Sequence, residues 1–216
     1  MFFNLDLPTL ISRVVTLLLA FTFHEFAHAA TASALGDETP RRFGRLTLNP
    51  LAHLDVMGTL TLVVAGFGWA KPVPVSEYAV NRKTKAGMML VALAGPVTNL
   101  FLGVLAALPL RFNWVSWTSN NGNILPSWQN FLLEFLSINL ALFLFNLIPL
   151  APLDGEKVIS YFLPQKWSEF YDSIRPYSPV ILMSLIFLLP MFGFDLIGII
   201  IRQPMMDIAN FLLGWG

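Results

Sequence analysis

Long apolar stretches separated by short polar segments dominate the chain. Four of them, at residues 7–35, 86–110, 130–150 and 180–201, are long enough to cross a bilayer as helices, because spanning needs about 20 apolar residues. A further stretch, residues 55–69, is apolar but short. The pattern predicts an all-α polytopic membrane protein with about four spanning helices. Residues 205–213 could add a short interfacial helix.

The short apolar stretch has basic flanks on both sides. Three arginines lie between residues 41 and 45, and four lysines or arginines lie between residues 71 and 85. Basic flanks favour the cytoplasm, so residues 55–69 are predicted to enter the membrane and return on the same side. The first helix then runs inward, the uncharged loop 112–129 lies outside, and residues 155–175 are cytoplasmic.

Two segments at the membrane surface predict short β-strands. Residues 45–48 alternate between polar and apolar side chains, which is typical of a strand. Residues 71–75 contain two prolines, and each proline favours an extended conformation in the residue before it. The predicted fold is therefore helical, with a re-entrant segment and short membrane-surface strands.

Composition agrees with the membrane assignment and excludes other classes. Of 216 residues, 56% are hydrophobic and 12% are charged, where soluble domains carry about 25% charged residues. The mean hydropathy is +0.66. Lys plus Arg and Asp plus Glu number 13 each, which gives no basic surface for nucleic acid. There is no cysteine, so thiolate metal sites are excluded. One membrane-embedded domain over residues 1–216, surrounded by lipid, is expected, and the oligomeric state stays open.

The sequence HEFAH at residues 24–28 lies inside the first apolar stretch. In a helix, His24 and His28 are four residues apart and face the same way, so both imidazoles can bind one metal ion with Glu25 beside it. Ionisable groups at membrane depth are costly and are usually functional. A catalytic zinc ion needs three protein ligands and an open position for water, whose proton Glu25 could accept. The alternative is a chance match to this short motif.

The third ligand must come from another part of the chain. The candidates are Asp154, His53, Asp55 and Asp195. Asp154 is favoured because prolines at 149 and 152 interrupt helical hydrogen bonding before it, and irregular backbone at membrane depth is tolerated where it is buried in protein or lines a cavity. The alternative for this segment is an ordinary exposed turn. Asp195 is expected inside the last helix, without a catalytic part.

Three motifs together resemble one family. HEFAH at 24–28, GPVTN at 95–99 and NLIPLAPLDG at 146–155 are similar, in this order, to the signatures of the site-2 protease family of intramembrane zinc metalloproteases. The short form, with residues 41–54 and 66–75 in place of inserted domains, resembles the compact prokaryotic branch without a PDZ domain. The residue after Asp154-Gly155 departs from many members, because it is Glu156, which is expected to be solvated.

The resemblance implies a function and a role for each motif residue. It implies zinc held by His24, His28 and Asp154, Glu25 as general base, Asn146 at the scissile carbonyl or its oxyanion, and Asn99 holding unwound substrate. For Asn99 the alternative is interhelical hydrogen bonding, which is also the interpretation given to Asn139. His53 is predicted near the site, where it would orient substrate or transiently occupy the open zinc position. Its alternative is a histidine at the headgroup level.

The expected activity is hydrolysis of peptide bonds in transmembrane segments of membrane proteins. The expected location is the cytoplasmic membrane, with the site nearer the cytoplasmic side. The alternatives are a non-catalytic metal-binding membrane protein, or pseudoprotease, and a small metal or proton transporter. Glu25 favours catalysis over both, because transport needs metal ligands but no glutamate directly after the first histidine.

Overall fold

A computed structural model of the chain describes residues 6–65, 68–115 and 124–215. The helices are α1 (Leu7–Ala34), α2 (Thr39–Arg42), α3 (Val56–Ala65), α4 (Glu77–Lys83), α5 (Gly87–Arg111), α6 (Trp128–Asn146), α7 (Asp154–Phe162), α8 (Gln165–Ile174), α9 (Ser178–Met183), α10 (Leu189–Met191) and α11 (Leu196–Leu213). Short 3₁₀ turns lie at Pro50–Ala52 and Arg175–Tyr177, and a π-helical turn at Ser184–Leu188 joins α9 to α10. The predicted all-α architecture is confirmed. Residues 116–123 of the loop expected outside are not among the described residues.

Five helical segments in the described ranges are long and apolar enough to cross a membrane. They are Leu7–Ala34, Gly87–Arg111, Trp128–Asn146, Gln165–Met191 and Leu196–Leu213. The protein is therefore a multi-pass membrane protein, with one more candidate span than the four expected. The fourth candidate starts inside the segment 155–175, which the sequence analysis placed in the cytoplasm.

The extra helix arises because the expected last span, residues 180–201, is broken near its middle. The chain turns after Met191, where Gly193 has a φ of +85° that favours glycine. Asp195 then caps α11, since its Oδ1 accepts the backbone N–H of Gly198 at 2.8 Å. Residues 205–213, which were considered a separate interfacial helix, are the second half of α11.

The predicted surface strands are wrong. Within the described ranges no strand forms, and a single isolated antiparallel bridge pairs Leu54 with Ala70. Residues 45–49 instead form a loop around the buried Arg45 side chain, which donates to the carbonyl oxygens of Ala52 at 2.6 Å and Lys71 at 3.2 Å. Residues 71–75 have no regular structure. The alternating run is four residues long and has no partner strand, so the arginine decides the local structure.

The segment after α3 folds back against the N-terminal end of this helix. The helix has ten residues, about 15 Å of helix, which is half the thickness of a bilayer core. Besides the Leu54–Ala70 bridge, the backbone N–H of Lys71 donates to the His53 carbonyl at 2.8 Å. The backbone at Gly58 also touches that of Trp69, because a Cβ atom at Gly58 would lie within 3.0 Å of it. The chain before α3 and the chain after it therefore lie side by side.

The core of the bundle is formed by α1, α5 and α6, with α11 against α5 and α6. Small residues on α5 allow close packing against α6, where Gly103, Ala106 and Ala107 lie against Leu136 and Leu140. Small residues at helix contacts are typical of membrane proteins, since close backbone approach increases van der Waals contact. This packing fixes α5 between α1 and α6, and so fixes the position of the polar residues on α5 relative to the two histidines.

Candidate active site

The first two metal-ligating candidates lie in the C-terminal half of α1. The helix has Pro8 in its first turn, where no intrahelical N–H is needed, and it ends before Gly36, whose φ is +96°. His24, Glu25 and His28 therefore occupy consecutive turns of one uninterrupted helix. All three are buried, with 9% or less of their surface exposed.

Each imidazole is oriented by a hydrogen bond from its Nδ1 atom. His24 Nδ1 lies 2.6 Å from Asn99 Oδ1, and His28 Nδ1 lies 2.7 Å from the Val91 carbonyl oxygen. Both oxygens only accept, since the amide nitrogen of Asn99 donates elsewhere, so both Nδ1 atoms donate. In the neutral rings the Nε2 atoms then carry lone pairs. These two atoms lie 2.9 Å apart and point to one place.

Asp154 reaches the same place from the other end of the sequence. The loop after α6 folds back so closely that a Cβ atom at Gly155 would lie 2.4 Å from the carbonyl oxygens of Leu147 and Ile148, so only glycine fits there. The Oδ2 atom of Asp154 lies 3.1 Å from His24 Nε2 and 3.4 Å from His28 Nε2. It is buried and has no hydrogen-bond partner among the described residues.

The Asp154 carboxyl is ionised at neutral pH. Burial raises the pKa of this carboxyl, but the positive charge of protonated His28 and His24 beside it outweighs burial and holds the pKa well below the usual range. Beside neutral imidazoles, a bound cation would supply the same charge. An ionised oxygen with no hydrogen bond is costly inside a protein. The carboxylate therefore needs a positive charge beside it.

The three converging atoms fit a metal ion. Separations of 2.9, 3.1 and 3.4 Å are close to the roughly 3.3 Å between neighbouring ligands of a tetrahedral ion with bonds of about 2.0–2.1 Å. Two lone pairs and an anionic oxygen this close repel one another unless a cation lies between them. Two imidazoles and one carboxylate are also the donor set of many catalytic zinc sites.

Gly95 on α5 leaves the space in which these groups meet. A Cβ atom there would lie 2.5 Å from His28 Nε2 and 2.6 Å from His24 Nε2. No side chain larger than hydrogen can occupy this position without displacing an imidazole. At this position α5 therefore has no side chain projecting toward the site.

Glu25 lies beside this site but is not one of the three groups that converge on it. Its ligand oxygen lies within 4.8 Å of the nearest nitrogens of His24 and His28. The Oε2 atom accepts the backbone N–H of Val73 at 3.2 Å, so the segment after α3 holds the carboxylate in place. A carboxylate next to, but distinct from, three metal-ligating groups can serve as a general base.

The three converging residues and Glu25 face one cavity. It has a volume of about 1070 Å³, and its walls include His24, Glu25, His28, Asn146 and Asp154. Asn146 is the last residue of α6, and its side-chain nitrogen donates to the Leu142 carbonyl at 3.0 Å. The rest of the wall is mainly apolar, contributed by α1, α5, α6, α9 and α11. A polypeptide segment could enter such a space and reach the site.

Comparison with known proteins identifies the family. Over 155 residues the chain is 45% identical to a protein named "Putative zinc metalloprotease YwhC" from Bacillus subtilis, and the match covers 70% of this chain and 68% of that protein. This chain belongs to the site-2 protease family. Proteins named "Putative zinc metalloprotease Rip2" are similar too, with 35% identity in Mycolicibacterium smegmatis (64% of this chain, 52% of the relative) and 30% in Mycobacterium tuberculosis (81% and 64%). No protein-family model and no solved structure matches the chain.

Asn99 and His53, which were expected to contact substrate in this site-2 protease family member, are both buried. Asn99 is fully buried and lies behind His24, where its side-chain nitrogen donates to Asn139 Oδ1 at 2.9 Å and to the Ala20 carbonyl at 3.4 Å. This geometry matches interhelical hydrogen bonding. His53 is 1% exposed, and its Nε2 donates to the Thr47 carbonyl at 2.8 Å. Neither residue is among the described residues that line the cavity.

Two acidic residues also differ from expectation. Glu156, expected to be solvated, is 4% exposed and forms ion pairs with Lys157 and Arg175, both at 3.1 Å. Asp195, expected inside the last helix, is its N-terminal cap and pairs with Arg202 at 3.5 Å. The buried Glu156 carboxylate needs such partners, because desolvation of a lone charge is costly, whereas Asp195 and Arg202 are both exposed.

The supporting roles of Val91 and Gly95 on α5 were not predicted from the sequence, where Asn99 was expected to hold substrate or to form interhelical hydrogen bonds. Val91, Gly95 and Asn99 are spaced by four residues, so they form one stripe that faces α1. The stripe supplies an acceptor for His28, an opening for the metal-ligating atoms and an acceptor for His24. This spacing was visible in the sequence once α5 was recognised as a helix.

Proposed function

We propose that this chain is a zinc endopeptidase that hydrolyses peptide bonds within transmembrane segments of other membrane proteins. The observation that carries the proposal is the convergence of His24, His28 and Asp154 beside Glu25, at a cavity between helices long enough to span a membrane. The relatives named as zinc metalloproteases support the same chemistry.

In this proposal, His24 Nε2, His28 Nε2 and Asp154 Oδ2 would hold the zinc ion. Bound zinc would polarise a peptide carbonyl and lower the pKa of water to near 7. Glu25 accepts a proton from the attacking water and delivers it to the leaving amine, while the Val73 N–H keeps its carboxylate facing the site. Asn146 donates a hydrogen bond to the oxygen on which negative charge develops.

Asn99 acts through His24 in this mechanism. Its Oδ1 atom fixes the tautomer in which Nε2 is unprotonated and able to bind metal. Two side-chain hydrogen bonds, from Asn99 to Asn139 and from His24 to Asn99, link α6, α5 and α1. Asn99 is therefore a positioning residue and His53 a loop-stabilising one, and neither is assigned a contact with substrate.

The proposed arrangement in the membrane follows from the charges around α3. Both flanks of that segment are basic, and the Leu54–Ala70 bridge brings its ends together. Residues 55–69 are therefore assigned as a re-entrant segment whose ends face the cytoplasm. This orientation places the C-terminal half of α1, with His24 and His28, nearer the cytoplasmic side of the cytoplasmic membrane. Residues 1–216 act as one membrane-embedded protease domain.

The test is a comparison of the wild type with Glu25→Gln. The purified proteins are reconstituted in lipid nanodiscs, their bound zinc is measured, and cleavage of synthetic transmembrane peptides is followed by mass spectrometry. Glu25→Gln should keep stoichiometric zinc and cleave at least about 100-fold more slowly, because general acid–base catalysis contributes roughly 10²–10⁴-fold. Glu77→Gln, the same change at an exposed position on α4, is the matched control.

Two results would contradict the proposal. Cleavage by Glu25→Gln at the wild-type rate would remove Glu25 from the mechanism. A wild type that binds zinc but cleaves none of the peptides would favour a non-catalytic metal-binding protein or a transporter.

A further inference from the structure

An ion pair lies in the cavity, far along the helices from the metal-ligating residues. Arg13 Nε and Glu134 Oε1 are 2.6 Å apart and join α1 to α6. Both residues belong to helices that are candidates to span the membrane, and both line the same cavity as His24. The proposed mechanism assigns this pair no part.

The cavity runs along α1 and α6 from the catalytic residues to this pair. Its wall includes Leu17 and Phe21 on α1, and Ile138, Ala141 and Phe145 on α6. These positions form one stripe on each helix. Arg13 precedes His24 by 11 residues and Glu134 precedes Asn146 by 12, so the ion pair lies about 16–18 Å from the catalytic end along the helix axes.

The polarity of this wall changes along its length. Between the ion pair and the catalytic residues it is mainly apolar, and at the far end it carries both a cationic donor and an anionic acceptor. The Arg13 and Glu134 side chains are 30% and 22% exposed, so they are partly accessible to whatever occupies the cavity. Charges at membrane depth are costly, and they commonly mark substrate pathways.

We propose that Arg13 and Glu134 form a subsite for a polar side chain of the substrate's transmembrane segment, an inference that rests on the proposed function. The pair receives a residue on the side of the scissile bond that faces away from the cytoplasm. A carboxamide fits best, because Asn or Gln can accept from the guanidinium and donate to the carboxylate at once. An apolar side chain at this position cannot form a hydrogen bond with either the guanidinium or the carboxylate. The preferred substrate is therefore an apolar helix with one polar residue.

The distance sets where that residue must lie. A gap of about 16 Å corresponds to roughly five residues of extended chain or eleven residues of helix. The substrate must unwind near the scissile bond and can remain helical farther away. The polar residue should therefore lie at one defined position between these limits.

The experiment scans a single Gln through an otherwise apolar transmembrane peptide. The Gln is moved from about 4 to 12 residues from the scissile bond, and kcat/KM is measured in nanodiscs. The wild type should show a maximum at one position, about tenfold above the all-apolar peptide, as expected for hydrogen bonds to charged groups. The Arg13→Met/Glu134→Leu variant should lose this preference. Arg202→Met is the matched control, because it removes an arginine from α11 that does not line the cavity, and it should keep the maximum.

The outcomes separate this inference from the proposed function. A wild type that cleaves every peptide with no dependence on Gln position would overturn the subsite and leave the protease proposal intact. A maximum that persists in the double variant would overturn it equally. If the double variant does not fold, Glu134→Gln replaces it and should lower the maximum.

Binding supplies a readout that does not need cleavage. The same peptides are titrated into Glu25→Gln, and their dissociation constants are measured by fluorescence anisotropy. The subsite predicts tightest binding at the same Gln position. Equal affinity for all peptides would reject the subsite even if no peptide were cut.

Discussion

Replacing Gly95 by alanine should separate metal binding from folding. In an ordinary helix interior, Gly→Ala stabilises by about 1 kcal/mol because alanine loses less backbone entropy. At Gly95 the added methyl group would lie 2.5 Å from His28 Nε2 and 2.6 Å from His24 Nε2. The substitution therefore favours the helix and disfavours the site at once.

The geometry gives the size of the effect. Carbon and nitrogen atoms normally approach to about 3.5 Å, so the contact is too short by nearly 1 Å. One ring can move aside only by breaking its Nδ1 hydrogen bond to Asn99 or to the Val91 carbonyl. Without metal, the loss of one such bond costs about 1 kcal/mol, which is similar to the helix gain. A zinc–nitrogen bond of about 2.0–2.1 Å cannot absorb a displacement of this size. Loss of one ligand should weaken zinc binding at least about 100-fold, which corresponds to about 2.7 kcal/mol.

The assay measures three properties of Gly95→Ala in nanodiscs. Zinc affinity is measured by competition with a chelator, thermal stability is measured without metal, and cleavage is measured with a transmembrane peptide. Zinc affinity and cleavage should fall together, while metal-free stability should stay within about 1 kcal/mol of the wild type, because the helix gain and the lost hydrogen bond are of similar size. Gly103→Ala is the control on the same helix, because its Cβ atom would make an ordinary 3.4 Å contact with Leu140.

One result would refute the reasoning about the site. If Gly95→Ala binds zinc with wild-type affinity, His24 Nε2, His28 Nε2 and Asp154 Oδ2 do not form the metal site. If Gly95→Ala also loses several kcal/mol of metal-free stability, α5 and α1 have separated. An equal loss in Gly103→Ala would show that any added methyl group on α5 disturbs the packing.

Two further substitutions test the parts that support the site. Asn99→Ala removes the acceptor that orients His24 and should weaken zinc binding about 10–100-fold, measured by the same chelator competition, whereas an unchanged affinity would exclude a positioning role. At Asp37, desolvation would raise the pKa, but hydrogen bonds from Thr39 and from the Ser76 N–H outweigh it and lower the pKa. A lowered carboxyl pKa stabilises the fold above the unfolded value of about 3.9, and this is lost as pH falls. Asp37→Asn should therefore cost about 1–2 kcal/mol at pH 7 and nothing in strong acid, and parallel stability profiles from pH 7 to pH 3 would contradict this.

The convergence of the proposed metal-ligating residues could be predicted from the sequence because their chemistry is local. His24 and His28 need only one helical turn to face the same way, and the long apolar run made that helix secure. Asp154 was predicted because its prolines and glycine mark an irregular segment at membrane depth. The structure brings its Oδ2 within 3.4 Å of both imidazoles.

The supporting contacts could not be predicted because they depend on how helices pack. Nothing in the sequence states that Val91 offers its carbonyl to His28, or that Arg45 folds its loop around itself. Alternation over four residues was a weak strand signal beside one buried arginine. In such segments tertiary contacts override local propensity.

The error in the last apolar stretch was avoidable. Gly193 and Asp195 are a helix-ending glycine and a helix-starting aspartate within three residues. Capping residues of this kind mark boundaries even inside a continuous apolar run. The helix break lies at Gly193, after Met191.

The ion pair between α1 and α6 has a consequence for how the protein is made. Arg13 is synthesised 121 residues before Glu134, so the ribosome delivers α1 to the membrane while its counter-charge is still untranslated. An arginine opposes insertion by about 2.5–3.5 kcal/mol at the centre of a membrane helix, but Arg13 lies six residues after the start of α1, where a long side chain can reach the membrane surface. We therefore expect α1 to insert with this guanidinium in the headgroup region and to turn it toward the bundle only when α6 brings Glu134.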